Sequence, residues 1–135
     1  MSLSNPREES EGPQLLTELR TPLEIVNRQR WLLHYLAKST GIIRELREAY
    51  VDAKDAYNKL AYASQLRLAG QGNAEERKQR AQLDNWDAYI AMQLAEKALD
   101  FAVSKRRDLE TELSVSQSET KLVIAEMSLA GRVNP

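Results

Sequence analysis

The sequence predicts an all-α fold, a long antiparallel helical hairpin of coiled-coil character. Three observations predict it. Apolar residues recur at alternating steps of three and four along most of the 135 residues, the spacing of a helix–helix seam. Breakers are few, with five Gly and four Pro, and apart from Gly41 they gather near the ends and in one short stretch at 70–73. An all-β chain would need turn residues every 8–12 positions or so, and they are missing.

The first strong helix start is Thr21-Pro22-Leu23-Glu24. Thr21 can cap the exposed backbone N–H groups, Pro22 suits the first helical position, and Glu24 completes the capping box. A helix over 22–69 follows. Leu23, Val26, Arg30, Leu33 and Ala37 form one stripe, beside Ile25, Leu32 and Leu36. Beyond Gly41 the stripe runs through Ile42 or Ile43, Leu46, Ala49 and Tyr50, Ala53, Ala56 and Tyr57, Leu60, and Ala63.

Gly70-Gln71-Gly72-Asn73 is the expected reversal. Gly70 suits a left-handed helix stop, and Asn73 with Glu76 forms the next capping pattern. A second helix over 74–130 is expected to bury Leu83, Trp86, Ile90, Leu94, Ala98 and Phe101, then Leu109, Leu113, Val123 and Met127, with Gly131 ending it and 132–135 left as a tail. Small Ala49, Ala53, Ala56, Ala63, Ala91, Ala95, Ala98 and Ala102 would let the helices approach, while Tyr50, Tyr57, Trp86 and Phe101 fill the wider gaps. Helices of this size would be roughly 70–85 Å long and bury one stripe each, so self-association is expected. Two places offer a break into a three-helix bundle instead. One is Gly41; the other is Ser114–Ser118, where Ser116 and Glu119 repeat the capping pattern.

The composition narrows function mostly by exclusion. No cysteine removes disulfides and thiolate metal sites. No apolar run approaches the ~18 residues of a membrane span, and the first 20 residues are too polar for a signal peptide, so a cytoplasmic protein without membrane contact is expected. His34 is the only histidine and lacks Glu-x-x-His or His-x-x-x-His spacing. The carboxylate pairs Glu45/Glu48, Asp52/Asp55 and Asp84/Asp87 alternate with basic residues as solvated helix faces do. Neither a nucleophile triad nor a phosphate-binding glycine loop is visible. The expectation is no enzyme activity, no cofactor and no metal.

Charge and apolar segments supply the candidate contacts. The formal charge of −1 divides into 15 basic and 11 acidic residues over 21–107, against 4 basic and 9 acidic in the two ends. Arg77, Lys78 and Arg80, and then Lys105, Arg106 and Arg107, are the candidates for nucleic-acid or protein-partner contact. Residues 1–20 read as an arm, broken at Asn5-Pro6 and Gly12-Pro13, whose Leu15, Leu16 and Leu19 could dock on a partner. The i,i+4 pairs Asp55–Lys59, Glu76–Arg80 and Arg106–Glu110 support helix.

The stretch AYASQLRLAGQGNAEERKQRAQLDNW, followed by KRRDLETELSVSQSETKLVIAEMSLAGR, resembles a group of uncharacterised small bacteriophage-encoded helical-hairpin proteins. The shared pattern is an Ala-rich helix, a Gly-containing turn, an acid-and-Arg helix start, and a Gln-Ser segment before a terminal helix. It covers about residues 45–132. The resemblance implies a place beside phage DNA recombination or replication genes, in the host-cell cytoplasm, and brings no catalytic residues. Three roles follow as expectations: an accessory factor for phage DNA metabolism, a scaffold or virion oligomer, or an adaptor or inhibitor of a host protein.

Overall fold

A computed structural model describes residues 21–133, with side chains described through 131. The expected arm, with Leu15, Leu16 and Leu19, lies outside the described residues, as do 134 and 135. The fold is all-α. Helix α1 spans Pro22–Arg67, α2 Ala74–Asp84 and α3 Trp86–Val133.

The start of α1 follows its sequence signal, with Glu24 N–H donating to Thr21 Oγ1 at 3.2 Å. Its end comes two residues before the expected boundary at 69. Leu68 N–H still reaches Ser64 O, but Ala69 N–H reaches back only three residues to Leu66 O, and Gln71 N–H only to Leu68 O. This tightening satisfies the last carbonyls and delivers the chain to Gly70 at φ 82° and Gly72 at φ 68°. Both lie in the left-handed region that glycine occupies without a Cβ penalty. Asn73 Oδ1 then accepts from Glu76 N–H at 2.8 Å and starts α2.

The single second helix expected over 74–130 is instead two, divided at Asn85. The backbone there departs from helical values, at φ −118° and ψ 39°. Asn85 N–H keeps its bond to Ala81 O and Tyr89 N–H its bond to Asn85 O. Meanwhile the Asn85 amide donates to Ala81 O at 2.8 Å and to Ser64 Oγ at 2.9 Å. A short amide side chain that competes for local backbone carbonyls distorts a helix in this way.

Neither place marked for a break contains one. At Gly41 the cost of one interior glycine, about 1 kcal/mol, is outweighed by the helix on both sides. At 114–118 the hydroxyls bond back along the helix, Ser118 to Ser114 O and Thr120 to Ser116 O. Helix α3 also passes Gly131 and ends at Val133.

The chain divides into two compact units. The first joins residues 21–40 to 103–133; the second is Gly41–Ala102. In the first, Arg28 meets Glu112, Gln29 meets Ser116, and Thr40 meets Arg106, so α1 and α3 run antiparallel. Its core is Trp31, Leu32 and Leu109, with Tyr35, Leu36 and Leu113 packed around it. In the second, Ser64 meets Asn85 and Tyr57 meets Tyr89, again antiparallel. The buried residues there are Ile43, Ala61, Ser64 and Ala81.

Two glycine substitutions should act in opposite directions in thermal unfolding. Gly70→Ala should destabilise by about 1 kcal/mol, since φ is positive there. Gly41→Ala should stabilise by a similar amount, roughly 0.5–1 kcal/mol, because a Cβ there meets nothing within 4 Å.

Candidate interaction surface

The stripe facing the neighbouring helix is not the one expected from apolar content. In α1 the inward positions are Ile25, Arg28, Leu32, Leu36 and Ser39, whereas Leu23, Val26, Arg30, Leu33 and Ala37 are exposed. Further along, Ile43, Leu46, Tyr50, Ala53 and Tyr57 turn inward as expected, but Ala61 and Ser64 replace Leu60 and Ala63. On the returning helices the exchange is larger. On α2 and α3 within Gly41–Ala102, Ala81 is buried, and Ala88, Met92, Ala95, Leu99 and Ala102 are half-buried, as is Ile90, which was expected in the seam. Leu83, Trp86, Leu94 and Phe101, expected in the seam, are 67%, 47%, 66% and 70% exposed. Leu109 and Leu113 are inside and Val123 is half-buried, but Met127 is exposed. Of the small residues assigned to the seam, Ala53, Ala95 and Ala102 lie there, while Ala49, Ala56, Ala63, Ala91 and Ala98 are on the surface.

Polar pairs explain this choice of face in the first unit. Arg28 Nε and Nη2 donate to Glu112 Oε2 and Oε1 at 2.5 and 2.8 Å, with both side chains 4% exposed. The guanidinium also lies 3.9 Å over the Trp31 ring, and Trp31 stacks obliquely on Tyr35. Gln29 Nε2 donates to Ser116 O, Ser116 Oγ and Thr120 Oγ1. A buried charge without its partner is costly, so Arg28 and Glu112 must face each other. Residues at other helical angles, among them Leu33 and Val26, are then turned to solvent.

The second unit excludes bulk by a different route. Ala61, Ala81 and Ser64 are buried where the helices approach, and the Ser64–Asn85 bond bridges them. Tyr57 and Tyr89 meet edge to face at 5.5 Å. Partial burial, and secondarily Tyr89, push the Tyr57 phenol above its ordinary value.

The basic candidates fall in different units. In Gly41–Ala102, Arg77 is half-buried and donates to Gly72 O at 2.7 Å, while Lys78 and Arg80 are exposed. In the first unit, Arg106 donates to Glu110 at 3.0 Å and to Thr40 Oγ1 at 3.0 Å. Lys105 is half-buried and Arg107 exposed. Counted by unit, Gly41–Ala102 holds 9 basic and 10 acidic residues. The basic excess over 21–107 therefore comes from 21–40 and 103–107, which carry six basic residues and one acidic.

His34 is exposed and meets the Tyr35 ring edge-on. The residues of the three carboxylate pairs are all exposed. Among the described residues no group of His, Cys, Asp or Glu is arranged to hold a metal ion, and no helix is long and apolar enough to cross a membrane. Leu83, Leu94 and Phe101 are exposed on the helices. Comparison with protein-family models, with curated proteins and with solved structures finds no match to this chain.

The buried pair should respond asymmetrically to substitution. Glu112→Ala leaves Arg28 buried opposite a void and should cost roughly 3 kcal/mol in urea unfolding. The double variant Arg28→Met/Glu112→Leu removes both charges and should recover most of that loss.

Proposed function

We propose that this chain is a non-enzymatic assembly protein that acts through helix-mediated protein–protein contacts, first of all with copies of itself. One observation carries this reading. The interior of each unit is filled in part by polar and small side chains, Arg28, Glu112 and Ser116 in one and Ser64, Ala61 and Ala81 in the other. Leu, Trp, Phe, Ile and Met side chains stand on the outside at helical spacing. Contiguous apolar surface beyond a few hundred Å² marks a contact surface on most soluble proteins. Its burial supplies the association energy, roughly 25 cal/mol per Å² before the costs of association.

Sedimentation equilibrium of the full chain tests this directly. Self-association is expected between about 1 and 100 µM, energies of several kcal/mol, with helix content and unfolding midpoint rising with concentration. A compact monomer throughout that range would remove self-assembly as the primary role.

A second reading has one observation in its favour, the six-to-one basic excess over 21–40 and 103–107. With the resemblance to phage helical-hairpin proteins, it makes the assembly an accessory to DNA recombination or replication. Single-stranded DNA should then bind at ~50 mM salt and weaken steeply as salt rises. Replacing Lys105, Arg106 and Arg107 together by Ala should reduce binding. Arg106→Ala alone is the control for its lost contacts to Thr40 and Glu110. Absence of binding at ~50 mM salt would overturn direct DNA contact.

A further inference from the structure

The geometry points to one face and one occupant: a second copy of this chain, docked antiparallel on the α2–α3 face between Leu83 and Phe101. In this register Leu83 meets Phe101, Asp87 meets Lys97 and Ile90 meets Leu94. This rests on the self-assembly proposed above and specifies the surface and the register it uses.

The face lies entirely within Gly41–Ala102. Leu83 on α2 and Asp87, Ile90, Leu94, Lys97 and Phe101 on α3 follow at steps of four and three, a seam spacing. The bonds Asn85 N–H to Ala81 O and Tyr89 N–H to Asn85 O continue across the break. Five of these six residues are exposed and Ile90 is half-buried. They form a stripe beside Ala81, which is buried, and Ala88, Met92, Ala95 and Leu99, which are half-buried like Ile90. The next steps of the stripe are Arg80 on one side and Ser104 on the other, so polar residues bound the apolar stretch at both ends.

The pattern reads the same from either end, and that selects the occupant. In a two-fold pair, if residue i meets j then j meets i. An antiparallel pair centred level with Met92 places apolar on apolar in four of six layers and Asp87 against Lys97 in the other two. A parallel pair in register would stack Asp87 on Asp87 and Lys97 on Lys97, which like-charge repulsion disfavours. Sliding the antiparallel pair by one heptad sets Lys97 against Arg80 and Phe101 against Glu76. Sliding it the other way sets Leu83 against Asp108. Only the centred register gives every charge on the stripe an opposite and every large apolar residue an apolar neighbour. An unrelated helix has no reason to match both halves of a symmetric pattern.

The area is sufficient for a modest dimer. The stripe is ~27 Å long at 1.5 Å per residue. With Leu83, Leu94 and Phe101 between 66% and 70% exposed and Trp86 flanking the stripe at 47%, the face offers roughly 500 Å² per chain, or about 1,000 Å² for the pair, near the lower bound of specific interfaces.

Sedimentation velocity on the full chain and four variants tests the register. Lys97→Asp and Asp87→Lys each put two like-charge pairs in the seam and should raise the dimer Kd about tenfold or more. The double swap Asp87→Lys/Lys97→Asp restores both opposite pairs and should return the Kd to within about threefold of the original. Leu94→Glu should dissociate the pair. Circular dichroism on each variant separates lost association from lost helix. Because the chain has no cysteine, introduced thiols give a second readout. Mixed Ile90→Cys and Leu94→Cys chains should form a disulfide faster than either variant alone. If the chain self-associates but the double swap stays as weak as the single ones, or Leu94→Glu changes nothing, this face and register are overturned while self-assembly stands. A monomeric wild-type chain overturns both.

Discussion

A helix packed against one neighbour can shelter only one stripe of its surface, and everything else about this protein follows from which stripe that is. In both units the sheltered stripe carries less apolar bulk than the helices have to offer. Ser64, Ala61 and Ala81 are buried while Leu60, Tyr62, Leu66 and Leu83 are not. Small inward residues let the helices come close, which gives close packing but little buried area. The apolar bulk that would stabilise a thicker core stands outward instead.

The first unit shows how such a face is held in place. Arg28 and Glu112 are separated by 84 residues in the chain and joined by a two-pronged ion pair. Its desolvation offsets much of its attraction, so it adds little net stability compared with an apolar pair. What it adds is a penalty for every rotation or slip of one helix on the other, since each would pull two buried opposite charges apart. Gln29 repeats the constraint one residue on, reaching three acceptors on the facing turn of α3. Fixing the inward face in this way also fixes which residues stand outside, so the polar interior and the apolar exterior are one feature.

The local punctuation of the fold was legible in the sequence because each signal is satisfied within a few residues. Thr21 caps α1, Gly70 takes a left-handed conformation, and Asn73 caps α2 through Glu76. The facing was much less legible. Two stripes about 100° apart both carry three-and-four spacing in α1, and periodicity alone cannot choose between Leu23–Val26–Leu33 and Ile25–Leu32–Leu36. The deciding partners, Glu112 and Ser116, are distant in sequence. Choosing the bulkier stripe by hydrophobicity assumes that a core collects the largest side chains, and that fails where polar pairs and small residues occupy the seam. The break at Asn85 had a local sign that periodicity outweighed, since Asn is a weak helix former whose amide competes for nearby carbonyls. The candidate surface was visible as a set of residues, of which Leu83, Trp86, Leu94 and Phe101 were assigned to the wrong side of the helix, while Ile90 is half-buried.

The exposed stripe also changes the meaning of the charges. Counted along the chain, residues 21–107 look basic and the ends acidic, which suggests a polyanion partner. Counted by folded unit, Gly41–Ala102 is nearly balanced, with 9 basic and 10 acidic residues. Balance of this kind does little to attract nucleic acid, but it is compatible with the proposed contact with a second copy. A strongly one-signed face would repel an identical partner at every approach. Asp87 and Lys97 illustrate the point at the scale of single residues. Both are exposed, and Asp87 also lies in the first turn of α3. Placed symmetrically about Leu94 and Ile90, they would make an otherwise permissive apolar stripe selective for one orientation of one partner.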